Sequence, residues 1–415
     1  MTPYKRFQQI LNRVEQGQQT DEDISFLRQL LSADDRQIVL QLGKYNVNIG
    51  EGRDIHIGDR IYQTWDEQAI QTLVQAIQKV TWRCVASLTE NDYTQVENQS
   101  TRIPIIDKLA KNLTDFSQQS VMRYGLKLAF SPDQEYFTSG GNQIIKLWQT
   151  NTREILQEIS VPFSATGIFD LWFTSVAISP DAQLIAACKA YQIYIWRSGI
   201  LNPLYTFSKT LFSNFLDVFG FDSVAFSPNN KILAANDNQD IKLWNIERGK
   251  EIAKLSGHSD KVTCVAFNPK NSRILASCSY DKTIKLWDID SKTCLSTLTA
   301  HRDAIYTLTF SPDGEILASG SNDNTIKLWH LNTGQTPQTL RQHSDAVTCL
   351  VFSPDGKALV SGSNDKTIVE WKITENEFQI FPERHRRGVT SIAISPDGKT
   401  LISGGRDQTI KAWQR

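Results

Sequence analysis

The chain has 415 residues, 40% of them apolar and 21% charged, and a formal net charge of -1. Those values describe a soluble globular protein with room for more than one core, and they exclude nucleic-acid recognition driven by charge alone. Cys84, Cys188, Cys264, Cys278, Cys294 and Cys349 show no CxxC pairing, so a reducing cytoplasm is the expected compartment. The stretch MTPYKRFQQ lacks the apolar core of a signal peptide, and no run approaches the roughly twenty apolar residues of a spanning helix, so no membrane partner is expected.

The chain opens with helical patterns. Thr2 and Pro3 make a start signal, Tyr4, Phe7, Ile10, Leu11 and Val14 form one stripe, and Gly17 is a suitable stop. Thr20 can cap a second helix, with Asp21, Glu22 and Asp23 at the positive end of its dipole and Ile24, Leu27, Leu30 and Leu31 as its apolar face. Ser32 repeats the device ahead of Ile38, Val39 and Leu42, and Gly43 ends it. Three short helices can share one small core.

After Gly43 the period changes. NVNIGEGR (46–53) is followed at once by DIHIGDRI (54–61), an eight-residue repeat that matches Val47 to Ile55, Ile49 to Ile57 and Gly50 to Gly58. Apolar residues alternate and Gly closes each copy, so each reads as a strand and a turn, with Glu51, Arg53, Asp54, Asp59 and Arg60 at the turns. Val47, Ile49, Ile55 and Ile57 are the candidates for homotypic association by strand addition. An ordinary hairpin is the competing reading. Residues 1 to about 75, with YNVNIGEGRDIHIGDRIY at their centre, resemble the effector-associated adaptor domains of bacterial signalling and conflict proteins. The resemblance implies pairing with a like domain on a separate effector chain.

Ala69, Ile70, Leu73, Val74 and Ile77 read as a further helix, which brings the adaptor-like domain, small and α/β, to residues 1–80. Residues 81–104, with SLTENDYTQVENQST inside them, read as a polar linker.

From there a repeat governs the chain. Trp148, Trp196, Trp244, Trp287, Trp329, Trp371 and Trp413 end related segments spaced 48, 48, 43, 42, 42 and 42 residues apart. Within FSPDGEILASGSNDNTIKLW (310–329), alternation on either side of an Asn-Asp-Asn turn gives two strands of a small antiparallel sheet. A period just above forty with four strands per unit marks a propeller. The segment 105–415 resembles the WD-repeat family, which implies a mainly β, seven-bladed β-propeller. Only Trp287 is followed by the Asp that names that family.

The last unit ends two residues after Trp413, so it lacks an outer strand. The resemblance implies a strand supplied from ahead of the first blade, and IIDKLAKNL (105–113) is the expected one. His301, Ser319, Asp323 and Trp329 hold the residue types of a hydrolytic triad, but the set recurs as His258, Ser277, Asp281 and Trp287, as His343, Ser361, Asp365 and Trp371, and as His385, Ser403, Asp407 and Trp413. A catalyst needs one site, whereas a repeat fold needs one buried lock per blade. These sets match the structural hydrogen-bond tetrad of the WD-repeat family.

The first three blades depart from the pattern. They lack the His and carry Asn142, Ala190 and Asn238 in place of the Asp, so they are expected to be less rigid or to have exchanged the lock for something else. The added segments 161–175 and 205–223 fall there and are rich in aromatics. Apolar connections are either folded under themselves or made for a partner, and Phe163, Trp172, Phe212, Phe215 and Phe219 are the candidate partner contacts.

No phosphate-cradling glycine loop, His-Cys ligand set or lone carboxylate pair appears, so no catalytic residue, cofactor or metal is expected. The expected function is a non-enzymatic interaction scaffold. Its propeller recognises a protein or peptide and its N-terminal domain recruits an effector chain. The alternative is a structural scaffold subunit that only oligomerises.

Overall fold

The computed structural model describes residues 47–49, 55–57, 60–62, 83–89, 125–141, 144–160, 173–189, 191–208, 220–333, 336–375 and 377–415. They fall into two compact units, one reaching to Arg83 and one from Cys84 to Gln414.

In the first unit, strands β1 (Val47–Ile49), β2 (Ile55–Ile57) and β3 (Arg60–Tyr62) form an antiparallel sheet in chain order. Its register sets Val47 opposite Ile57 and Ile49 opposite Ile55, so the two octads pair as a hairpin. The third strand differs from expectation: Arg60 is not a turn residue but stands in β3 opposite Ile57. The helices expected before Gly43 and over 66–80 lie outside the described residues.

The second unit is a seven-bladed β-propeller: seven four-stranded sheets, each ordered from an inner to an outer strand. Blade five shows the plan with Ile305–Phe310, Ile316–Ser321, Thr325–His330 and Gln338–Arg341. The second strand of each blade is largely buried because both of its faces are covered, as in Leu317, Ala318 and Ser319 at 0% exposure. The outer strands alternate instead, since one of their faces meets solvent. The seven repeat tryptophans are all buried, and six of them, Trp148, Trp196, Trp244, Trp287, Trp329 and Trp371, sit in clusters that each span two neighbouring sheets.

Blade seven supplies a correction. Its outer strand is β4 (Arg83–Thr89), which lies beside Thr409–Gln414. The expected segment 105–113 does not fill that place, and it lies outside the described residues. β4 also falls within residues 81–104, which read as linker. The physical reason is the period: Cys84, Ala86 and Leu88 are half-buried while Val85 and Ser87 are exposed, the alternation of an outer strand. Ile105, Ile106, Leu109 and Leu113 recur every three or four residues, a spacing that suits a helix. Ala86 and Leu88 pack on Leu126, Leu128, Trp148, Ile402 and Ile410, which joins the last blade to the first. Burial, with Glu383 adding to it, pushes the Cys84 thiol up to about 11.

Neighbouring blades are also tied at their inner strands. Thr174 Oγ1 donates to the Phe221 carbonyl at 2.6 Å, Thr263 to Ile305 at 2.6 Å, and Thr348 to Val389 at 2.6 Å. One residue further on, Ser175, Ser223 and Ser391 accept from the backbone N–H of Val224, Val265 and Leu128 in the next blade. A Thr or Ser at these positions thus satisfies backbone groups at the blade junctions that the sheets leave without a strand partner.

Candidate partner-binding site at the channel mouth

The residue at the start of each inner strand points into the central channel. Lys127, Thr174, Asp222, Thr263, Tyr306, Thr348 and Thr390, one per blade, line a recess there together with Tyr280. It encloses about 550 Å³, open solvent at its mouth included. Tyr280 and Tyr306 meet edge to face with ring centroids 5.9 Å apart. Lys261, almost fully buried, pairs with Asp222. The Lys127 ammonium lies 3.3 Å from the Thr390 carbonyl. Burial, with the positive charge of Arg406 adding to it, draws its pKa below the usual lysine value.

Blades four to seven each hold a hydrogen-bonded tetrad inside their sheet. In blade five the Trp329 indole N–H donates to Ser319 Oγ at 2.9 Å, Ser319 Oγ lies 2.8 Å from His301 Nε2, and His301 Nδ1 lies 2.9 Å from Asp323 Oδ2. One assignment satisfies the chain: the hydroxyl donates to Nε2 and Nδ1–H donates to the carboxylate. The geometry repeats with His258, Ser277, Asp281 and Trp287 at 2.7 to 2.8 Å, and with His343, Ser361, Asp365 and Trp371 at 2.8 to 2.9 Å. His385, Ser403, Asp407 and Trp413 make a looser copy, with 3.2 Å between His385 Nδ1 and Asp407.

Burial alone would raise the carboxyls of Asp281, Asp323, Asp365 and Asp407. Hydrogen bonds from the partner His and from Thr283, Thr325, Thr367 and Thr409, aided by a backbone N–H, outweigh burial and hold all four well below the usual carboxylate range. Each Ser hydroxyl is shut inside a sheet at 0% exposure. No substrate carbonyl can reach it, so the arrangement locks strands and does not attack.

Blades one to three hold their tryptophans by other means. Trp148 still donates to Ser139 Oγ at 2.8 Å and stacks on Phe137 at 5.9 Å. In blades two and three the serine position is Ala187 and Ala235, so there is no hydroxyl for the indole. Trp196 stacks on Tyr194 at 5.5 Å, and Trp244 stacks on Phe207 at 5.2 Å with Phe221 edge-on at 6.1 Å. Ring packing stands where the polar chain is missing. Buried Asn236 adds a junction bond of its own: its carbonyl accepts from the N–H of Asp222 and Ser223, and its amide donates to the Val262 carbonyl.

Of the residues expected to meet a partner, Phe163, Trp172, Phe212, Phe215 and Phe219 lie outside the described residues. In the sequence, 161–172 directly precede Phe173 and Thr174, and 209–219 stand just ahead of Phe221 and Asp222. The channel ring itself escaped the sequence reading. The clue was present, because the ring position precedes the small polar or apolar residue of FTS, VTC, IYT and VTS, and Lys127, Asp222 and Tyr306 break the threonine rule there. Among the described residues, no group of His, Cys, Asp and Glu is placed to hold a metal ion, and no helix is long and apolar enough to cross a membrane.

Comparison with known families agrees with this architecture. The model of the WD domain, G-beta repeat, matches residues 121–149, 218–245 and 249–288, and the model of the IFT122 first beta-propeller matches 281–415. Effector-associated domain 10 matches residues 1–77. A WD repeat-containing protein WDS homolog of Arabidopsis thaliana is 54% identical over 41 residues, 10% of this chain and 8% of that protein, so the match spans a small part of the relative's length. The second unit therefore carries WD40 repeats in a seven-bladed β-propeller, and residues 1–77 are similar to effector-associated domain 10.

Proposed function

We propose that this protein is a non-enzymatic, cytoplasmic adaptor. Its propeller engages a protein or peptide at the channel mouth, and residues 1–77 recruit a separate effector chain by like-with-like association, in a bacterial signalling or conflict system. The observation that carries the first half is the recess lined by Lys127, Thr174, Asp222, Tyr280 and Tyr306, two of whose residues, Thr174 and Asp222, stand at the ends of the added, aromatic-rich segments in the sequence. Aromatic anchors around a polar recess have the composition of a binding hot spot. The second half rests on the match to an effector-associated domain. It is supported by a small sheet with two outer strands, β1 and β3, whose edges another chain can extend.

The experiment replaces Ile49 and Ile57 by Asp in the full chain and measures self-association and effector capture. Each substitution sets a carboxylate into the paired octads, at a cost of a few kcal/mol. Loss of association with an unchanged circular dichroism spectrum supports the reading. Unchanged association in a folded variant places recruitment elsewhere.

A further inference from the structure

We infer that the channel mouth holds a carboxylate-binding site centred on Arg406. This deepens the proposed partner recognition and rests on it. The argument begins with the position just ahead of the tetrad Asp in blades four to seven, occupied by Tyr280, Asn322, Asn364 and Arg406. In all four blades its backbone N–H is bound by the carbonyl that closes the preceding loop: Lys261, Ala304, Ala346 and Gly388. The four side chains therefore start from equivalent points on one face of the disc.

In blade five that side chain has a partner within its own blade, since Asn322 Nδ2 donates to Asp303 Oδ2 at 2.7 Å. Blade seven has lost the equivalent acceptor. The loop reads HRDA in blade five and HSDA in blade six, but HRRG in blade seven, so Arg387 stands where Asp303 and Asp345 stand. Arg406 is left half-buried, with Nε and Nη2 shut off from solvent and no hydrogen-bond partner for either among the described residues. Asp345 and Tyr306 act on its charge, but neither makes an ion pair or hydrogen bond with it.

The other charges of the mouth do not answer it. Asp222 already pairs with Lys261, and Lys127 adds a further positive charge within range of Arg406. A planar guanidinium short of acceptors, with an ammonium near it, suits a bidentate carboxylate. A buried donor left without an acceptor costs stability, so an acceptor is what such a site gains most from binding. The partner chemistry is therefore an acidic side chain, or a small free carboxylic acid with the same group.

The test uses the full chain and three probes: acetylated, amidated octapeptides of mixed sequence with one central Glu, the same peptides with Gln at that place, and succinate. The Glu peptides are expected to bind at least tenfold tighter than the Gln peptides. Arg406→Met should abolish that preference, Arg406→Lys should keep part of it, and Lys127→Met should weaken it. Arg406→Met should melt no lower than the parent, because it removes a desolvated charge with no partner, and this separates loss of the site from loss of the fold. Equal binding of Glu and Gln peptides overturns the carboxylate site and leaves peptide recognition standing. Succinate binding that Arg406→Met abolishes, with neither peptide bound, upholds the site for a small acid and overturns the partner reading. Absence of binding by all three probes overturns the proposal.

Discussion

Thr390 Oγ1 donates a 2.9 Å hydrogen bond to the carbonyl of Leu126, a residue 264 positions earlier in the chain. The same hydroxyl lies 3.2 Å from the Gly404 carbonyl, so it links the last blade to the first while also bridging two strands of its own sheet. Together with β4 beside Thr409–Gln414, it makes the ring close twice, once at the inner strands and once at the outer edge. A closed ring of four-stranded blades leaves only short, protected sheet edges.

Thr390→Val should therefore destabilise the propeller by about 1 to 3 kcal/mol, because buried carbonyls lose their donor while shape is kept. Thr390→Ser should recover most of the loss. Urea unfolding measures both, and a Thr390→Val midpoint equal to the parent's would mean that the inner closure contributes nothing.

The outer closure is tested by the alternation along β4. Leu88→Asp puts a carboxylate against the cluster of Leu126, Trp148 and Ile402 and should lower the melting temperature by several degrees, at a cost of a few kcal/mol. Val85→Asp, on the exposed side of the strand, should change it by less than about a degree, within the usual ±0.5 kcal/mol of a surface substitution. Equal effects from the two would remove β4 from blade seven.

Ser319→Ala strips the acceptor from the Trp329 indole and the donor from His301 Nε2, both inside a sheet. A loss of about 1 to 3 kcal/mol is expected, and Ser361→Ala in blade six should cost a similar amount. Blades two and three already carry Ala187 and Ala235 at this position, so Ala187→Ser should give no comparable gain. Differential unfolding of the three variants decides the matter.

Acid should unfold the propeller through its tetrads. The four tetrad carboxyls sit below their unfolded value of about 3.9, so their contribution is complete above that pH and is lost as pH falls through the folded values. Stability should hold steady from about pH 7 to 5 and then fall steeply below about 4. Asp323→Asn with Asp365→Asn should be less stable at neutral pH and show a shallower acid slope. Denaturant midpoints across pH give the comparison, and parallel curves for parent and variant would remove these carboxylates as the cause.

Much of the fold was legible because it is local and repeated. Tryptophans 42 to 48 residues apart set the number of blades, and the recurring His, Ser, Asp and Trp set marked the four polar locks, since each lock joins residues within one unit of chain. The octads paired as their alternation allowed. What needed the tertiary structure is whatever joins distant segments. β4 is one of several short apolar runs ahead of the first blade, and only docking on Thr409–Gln414, more than 300 residues away, singles it out. The channel recess was hidden for the same reason: Lys127, Asp222 and Tyr306 belong to different blades, and they line one recess only when the closed ring brings the starts of seven inner strands together. Local periodicity determines what a segment becomes, while pairing across long chain separations, which depends on shape and burial and not on spacing, decides where it goes.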